Sequence, residues 1–192
     1  SLIKPDPEFD TVPFLAAIES ELQGFGLEMT VHACEKRTNI ESAFIKGNTI
    51  KNLLVIRAPE SVTARLQSNK SLKVKFELDT DPPEGAEYDV KTLLLPFPFQ
   101  VKLFSICDLF AGKLHAVLCR KWKSRIKGRD FYDLLWYIGK GAECNLIHLQ
   151  ARMIQTMDWQ KGRELKDADV KDLLRKRFDQ IDFNIAKRDV MP

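Results

Sequence analysis

The chain has 192 residues, 44% of them hydrophobic, and 30 Lys and Arg against 27 Asp and Glu, giving a net charge of +3. That supports an ordinary globular protein with one core or two small ones, and the mild basic excess does not by itself argue for nucleic acid. No stretch approaches the roughly 18 consecutive apolar residues of a membrane span and no charged-then-apolar leader opens the chain. The four cysteines, Cys34, Cys107, Cys119 and Cys144, contain no C-x-x-C pair. The expectation is a cytoplasmic protein with reduced thiols, no membrane contact and neither a zinc nor a disulfide framework.

In chain order, residues 1–3 read as a strand-like stub that Pro5 and Pro7 stop. Phe14, Leu15, Ile18 and Leu22 recur at helical spacing, with Thr11 as N-cap, Pro13 in the first turn and Gly24 and Gly26 at the end. Residues 27–33 alternate as a half-buried strand. Two short strands are expected at 43–45 and 53–56, with Gly47-Asn48 as the turn signal between them. Residues 72–79 alternate without a fault, placing Leu72, Val74, Phe76 and Leu78 on one face and Lys73, Lys75, Glu77 and Asp79 on the other. Pro82-Pro83 and Gly85 end this strand, and the prolines keep 93–99 extended.

From Ser105 the pattern turns helical. Ser105 and Asp108 make a capping box ahead of a helix with Leu109, Ala116, Val117 and Cys119 as its apolar set. A second helix is expected over 130–138, with Phe131, Leu134, Leu135 and Ile138 apolar and Gly139 as cap; two more cover 146–157 and 170–178. The predicted layout is α+β: a strand-rich part over 1–100 and a helical part over 101–192.

Between the first two of these helices, residues 120–129 hold six basic side chains and no acid, a local well for phosphate. Lys113 and Arg120 lie seven residues apart, on one helical face two turns from each other. Asp130 falls where a carboxylate caps free N–H groups, with Asp133 one turn further on; the alternative is that Asp130 orients Lys113 or Arg120 across the helix hairpin. On the strand at 72–79, Glu77 and Asp79 form a pair of carboxylates at fixed separation, suited to a divalent cation such as Mg²⁺ or, equally, to an exposed strand face beside Lys73 and Lys75. Asp81 reads as a turn residue. His32, His115 and His148 are read as structural, each without a metal-ligand partner three or four residues on.

The succession Lys75-Phe76-Glu77, then 109–116 with Lys113 followed by Arg120, then 127–134 with Lys127, Arg129, Asp130 and Asp133, resembles the AbiEii/AbiGii toxin family. These are nucleotidyltransferase-like proteins of bacterial abortive-infection and toxin–antitoxin systems. The resemblance implies a polymerase-β-like nucleotidyltransferase sheet with a C-terminal helical bundle, NTP as substrate and Mg²⁺ as cofactor. It also implies transfer of a nucleotidyl group to an RNA (such as tRNA) or protein acceptor, and a cognate antitoxin. By the same resemblance Glu77 is the third metal carboxylate, beside the Asp79 that strand spacing pairs with it, and Glu77, Lys113 and Asp130 are the catalytic set. Lys75, Arg120, Lys127, Arg129 and Asp133 are the nucleotide-binding set.

The family's first motif, a Gly-Ser followed by D-x-D, has no counterpart here, since the chain contains no Gly-Ser. In the family that strand leads into a segment like residues 2–7. The expectation is therefore a partial nucleotidyltransferase domain, impaired or inactive in turnover yet able to bind nucleotide, with the D-x-D just upstream of Ser1. Two alternatives stand beside this one. The first is a non-catalytic RNA-binding module using the basic loop with Trp122 as a stacking platform. The second is a metal-dependent nuclease on Asp79 and Asp89-Val90-Lys91, disfavoured because Lys91 is expected to follow a loop.

Overall fold

A computed structural model of the chain describes residues 2–34, 40–48, 71–95, 97–121 and 126–190. It is α+β, with six helices and two small antiparallel sheets among the described residues. Two compact units divide at Pro82–Pro83. The change from strands to helices near residue 100 is thus a different boundary from the one between the units.

In the first unit, helix α1 (Val12–Gly24) is followed by strands β1 (Met29–Ala33), β2 (Ile40–Asn48) and β3 (Ser71–Asp79), which pair antiparallel in that order. Thr11 is the N-cap by position, yet its hydroxyl donates to Glu41 Oε2 at 2.6 Å instead of capping. The first-turn backbone is served by Asp10, whose Oδ1 accepts from Val12 N at 2.9 Å. Gly47-Asn48 is not a turn: both residues stay in β2 and pair with Leu72 and Ser71. The chain thus keeps its strand geometry through a glycine because a neighbour supplies the ladder. The second strand expected there, 53–56, lies outside the described residues. Nor is the N-terminal stub a strand, although Leu2 N donates to Asp79 O at 3.0 Å and Asp6 N to Thr80 O at 2.8 Å, tying the segment to the end of β3.

Register places Ala43 and Ile45 of β2 on the same face as Val74 and Phe76 of β3. Ala43, Ile45 and, on α1, Leu15 are buried there. The alternation of β3 is therefore correctly legible, but Leu72 and Val74 at its start remain exposed among the described residues.

The second unit opens with a ribbon that the sequence reading missed, β4 (Tyr88–Leu93) paired with β5 (Phe99–Phe104). Residues 94–98 link the two strands, so the prolines mark the connection and not an isolated extended run. Lys91 lies in β4 opposite Val101, which removes the reason given for disfavouring Asp89-Val90-Lys91. Five helices follow: α2 (Ile106–Cys119), α3 (Gly128–Gly139), α4 (Leu146–Gln155), α5 (Asp167–Asp179) and α6 (Phe183–Arg188). The Ser105 cap is as read, with Asp108 N donating to Ser105 Oγ at 3.2 Å.

Phe110, Ala111, Leu114 and Val117 of α2 pack with Phe131 and Leu134 of α3, Leu149 and Met153 of α4, and Val170 of α5. Leu109, Leu135 and Ile138, expected in the core, are exposed. The buried stripe of α2 is displaced by one residue from the expected one, which put Leu109 at its head. On α3 it is narrower than the run of apolar letters, because only the sides facing α2 and α6 find helix partners among the described residues.

A buried polar knot joins the ribbon end to α4. Asn145 caps α4 by accepting from His148 N and donates from Nδ2 to Asp108 Oδ1 at 2.9 Å. His148 is 1% exposed; its Nδ1 lies 3.0 Å from Glu84 O, and its Nε2 accepts from Arg152 Nε at 2.9 Å. With one ring nitrogen accepting, the imidazole is neutral and Nδ1 is the donor. Burial, with Arg152 adding to it, holds its pKa below the ordinary imidazole value. The unfolded chain takes up this proton more readily, so stability is full above about pH 6.5 and falls as the pH drops below it. The Tm is expected to decline between about pH 7 and pH 5.5, and His148→Gln should flatten that slope. An unchanged slope would remove His148 from the account.

Candidate functional site

Helices α2 and α3 lie against each other, and the polar contacts at their junction are specific. Lys113 Nζ sits 2.6 Å from Asp133 Oδ2 and 3.9 Å from Asp130 Oδ1, while Arg120 donates to Asp130 Oδ2. Asp130 is 2% exposed, whereas the side chains of Lys113 and Arg120 are about a third open to solvent. The acid is thus interior and the cations reach outward from it. Asp130 is no N-cap: Lys127 holds that position without a capping bond from its side chain, and the first N–H of the helix, at Gly128, donates to Asp189 Oδ2 at 3.0 Å. Of the two readings of Asp130, the geometry is that of the acid bridging both cations across the hairpin.

The burial of Asp130 has a physical reason. Removing a carboxylate from water is costly unless charged partners replace the lost solvation. Two cations from the facing helix supply them, and each keeps donors beyond those the acids use, since an ammonium carries three and a guanidinium five. Spacing two turns apart on one helix and a shared acid between them fixes the cations at a set distance. Such a pair suits a phosphate chain, which presents oxygens at successive positions.

Arg177 of α5 holds Arg120 from behind. Its Nε donates to Val117 O at 3.0 Å and its guanidinium also donates to Arg120 O. These carbonyls belong to the end of α2, where no helical donor remains for them. Sequence reasoning missed this residue: on α5 it is one cation among Lys171, Arg175 and Lys176, and nothing in the pattern marks it. Lys127 is half-buried at the start of α3 and Arg129 is exposed. The middle of the basic run, with Trp122, lies outside the described residues.

In the first unit, Lys75, Glu77 and Asp79 share the face of β3 opposite Phe76. Lys75 Nζ is 2.5 Å from Glu77 Oε1, and both side chains are about half exposed. Asp79 Oδ1 accepts from Asp81 N at 3.1 Å, which makes the turn expected at Asp81. Glu77 and Asp79 stand two places apart on the strand, so their backbones are about 6.6 Å apart along its axis. Mg²⁺ takes one or two carboxylates and completes its shell with water and phosphate, so the pair fits it to that extent.

Among the described residues a third set was not foreseen. His115, Cys119 and Asp158 bring one ligand atom each to within 4.8 Å of one another. The signal was present, because Cys119 stands four residues after His115, on the same helical face. The reading that no histidine has such a partner is corrected on this point.

Two α+β units, one with paired acids on a strand and one with cations fixed by an interior acid on a helix hairpin, define the class. The family profile described as nucleotidyl transferase AbiEii toxin, type IV TA system, matches residues 14–191. The chain belongs to this family of nucleotidyl transferase toxins. A comparison with curated proteins gives no match. No helix among the described residues is long and apolar enough to cross a membrane.

Proposed function

We propose that the second unit binds the triphosphate of an NTP through Lys113 and Arg120, oriented by Asp130 and Asp133, with Lys127 and Arg129 adding positive charge. The observation that carries this reading is the buried Asp130 shared between two outward-reaching cations. Family membership supports the reaction: a nucleotidyl transferase toxin of a type IV system, on a polymerase-β-like fold, acting with an antitoxin as its partner. An acceptor hydroxyl on RNA or protein attacks the α-phosphorus and pyrophosphate leaves. On the first unit, Glu77 and Asp79 are the residues that would hold Mg²⁺, which would supply Lewis-acid chemistry when bound. Lys75, 2.5 Å from Glu77, holds that carboxylate in place on the strand. Lys113 and Arg120 offset the charge of the triphosphate, and Asp130 prevents them from swinging away.

Titration of the purified chain with Mg·ATP is expected to show saturable binding. Lys113→Ala and Arg120→Ala should each weaken it about tenfold, the loss of one charge-assisted phosphate contact. In a chain that also carries the family's D-x-D, Glu77→Ala and Lys113→Ala should abolish transfer of labelled NMP. Undiminished binding in both cation variants, or steeply salt-dependent RNA binding with no saturable NTP binding, would overturn the reading in favour of an RNA-binding module.

A further inference from the structure

The helix that carries Lys113 and Arg120 presents a second set of groups that the nucleotide reading does not use. His115 and Cys119 lie one turn apart on α2, and Asp158 comes to them from the turn after α4. That turn is held in an unusual way. Met157 adopts φ 61°, left-handed for a residue with a side chain, and that side chain is 90% exposed. Such a conformation costs about 1 kcal/mol or more. No burial of Met157 offsets it. What the turn achieves is to return Asp158 towards α2, with Asp158 N donating to Met153 O at 2.8 Å.

The polar atoms there are already linked. His115 Nε2 lies 3.1 Å from Thr156 Oγ1, and Thr156 Oγ1 donates to Asp158 Oδ2 at 2.6 Å. Cys119 is hydrogen-bonded to Asp158 as well. Cys119 and Asp158 also line a cleft together with Leu118, Met153, Lys176 and Gln180.

We propose that His115, Cys119 and Asp158 form a site for a transition-metal dication of the zinc class, with three protein ligands and a fourth position facing that cleft. One nitrogen, one sulfur and one oxygen ligand suit zinc, whereas Mg²⁺ and Ca²⁺ take oxygen alone. Bonds of about 2.0–2.3 Å in a tetrahedral shell set ligand atoms about 3.3–3.8 Å apart. The three atoms are within 4.8 Å of one another, so a closure of about an ångström brings them to that shell. Thr156, bonded to both His115 and Asp158, orients the two ligands from outside the shell.

Without metal, burial and then the charge of Asp158 push the Cys119 thiol up to about 12, so it carries its proton. Metal binding replaces that proton: the S–H bond breaks, the thiolate binds the metal, and one proton passes to solvent. His115 enters neutral, since burial first and Arg152 next hold its pKa below the ordinary value. Thiolate and carboxylate then balance the dication, while Arg152, Arg120, Lys176 and Arg177 nearby favour an anionic fourth ligand. The bound ion would staple α2 to the turn that leads into α5. This site is independent of the nucleotide reading and stands or falls by its own test.

The chelator-treated full chain is titrated with Co²⁺ as a coloured substitute for zinc. One equivalent is expected to give a thiolate-to-cobalt charge-transfer band with tetrahedral d–d absorption, bleached by Zn²⁺, and Zn²⁺ should raise the Tm. Cys119→Ser should remove the charge-transfer band, and Asp158→Asn should weaken Co²⁺ binding at least tenfold. Cys34→Ser, at an exposed thiol, should change nothing. No band in the parent chain, a band that survives Cys119→Ser, or one that disappears with Cys34→Ser would overturn the proposal. If Cys119→Ser does not fold, undiminished Co²⁺ affinity in Asp158→Asn overturns it alone.

Discussion

Arg120→Met should destabilise the second unit by about 3 kcal/mol, because it leaves a buried carboxylate without its main partner. Among the described residues Asp130 would retain Lys113, whose ammonium lies 3.9 Å away and is already engaged by Asp133 at 2.6 Å. The figure sits at the lower end for a broken buried pair, since the guanidinium is 37% exposed. A double replacement, Arg120→Met with Asp130→Leu, is the informative companion. Removing both charges and filling the space with apolar groups is often neutral for stability. Denaturant unfolding is therefore expected to recover most of the loss in the double variant, while Mg·ATP binding stays at the level of Arg120→Met alone. Recovery of both would mean that the pair matters only for folding, and the nucleotide reading would lose its supporting observation.

That separation bears on what a sequence can and cannot reveal about such a site. Lys113, Arg120, Asp130 and Asp133 were legible as a set because helical spacing alone fixes which of them share a face. Which acid serves which cation was not. Capping and cross-helix pairing make the same demand on position 130, and only the placement of Lys127 as N-cap distinguishes them. Arg177 was invisible for a related reason: its role depends on which carbonyls α2 leaves unpaired, a property of a helix end and not of any residue type.

The fold shows the same division. β3 was read to within one residue because alternation is local, and α2 because its cap is spelled by Ser105 and Asp108. The β4–β5 ribbon escaped because the prolines at 96 and 98 mask it as one extended run, although residues 88–91 and 99–103 alternate apolar with polar; its apolar residues Val90, Leu93 and Leu103 nonetheless stay exposed. Leu135 and Ile138 were assigned to the core by letter. The structure leaves them outside because α2 and α6 occupy only part of the circumference of α3. Hydrophobic letters set an upper bound on the buried stripe, and the partners decide its width.

The start of α3 carries the other large expectation, at Gly128. This residue lies against α6 so closely that an added Cβ would fall 1.8 Å from Ala186 O and 2.8 Å from Ala186 C. Both are backbone atoms, so no rotamer change can relieve the overlap. The approach is reinforced by Asp189 Oδ2, which accepts from Gly128 N at 3.0 Å, and by Phe183, whose ring meets Phe131 at 5.5 Å and Phe178 at 5.8 Å. Gly128→Ala is therefore expected to push α6 off the α3–α5 surface, at a cost of about 2–3 kcal/mol. The helix has only six residues, so its release is expected to precede global unfolding. Limited proteolysis should cut the variant after α5, near Gln180, under conditions in which the parent chain resists. Because Gly128 begins the helix that carries Asp130, the displacement should also loosen the hold on Arg120, and Mg·ATP binding should weaken with it. A variant with parental Tm and parental protease resistance would show that α6 does not dock at this glycine, and the close approach would lose its place in the account.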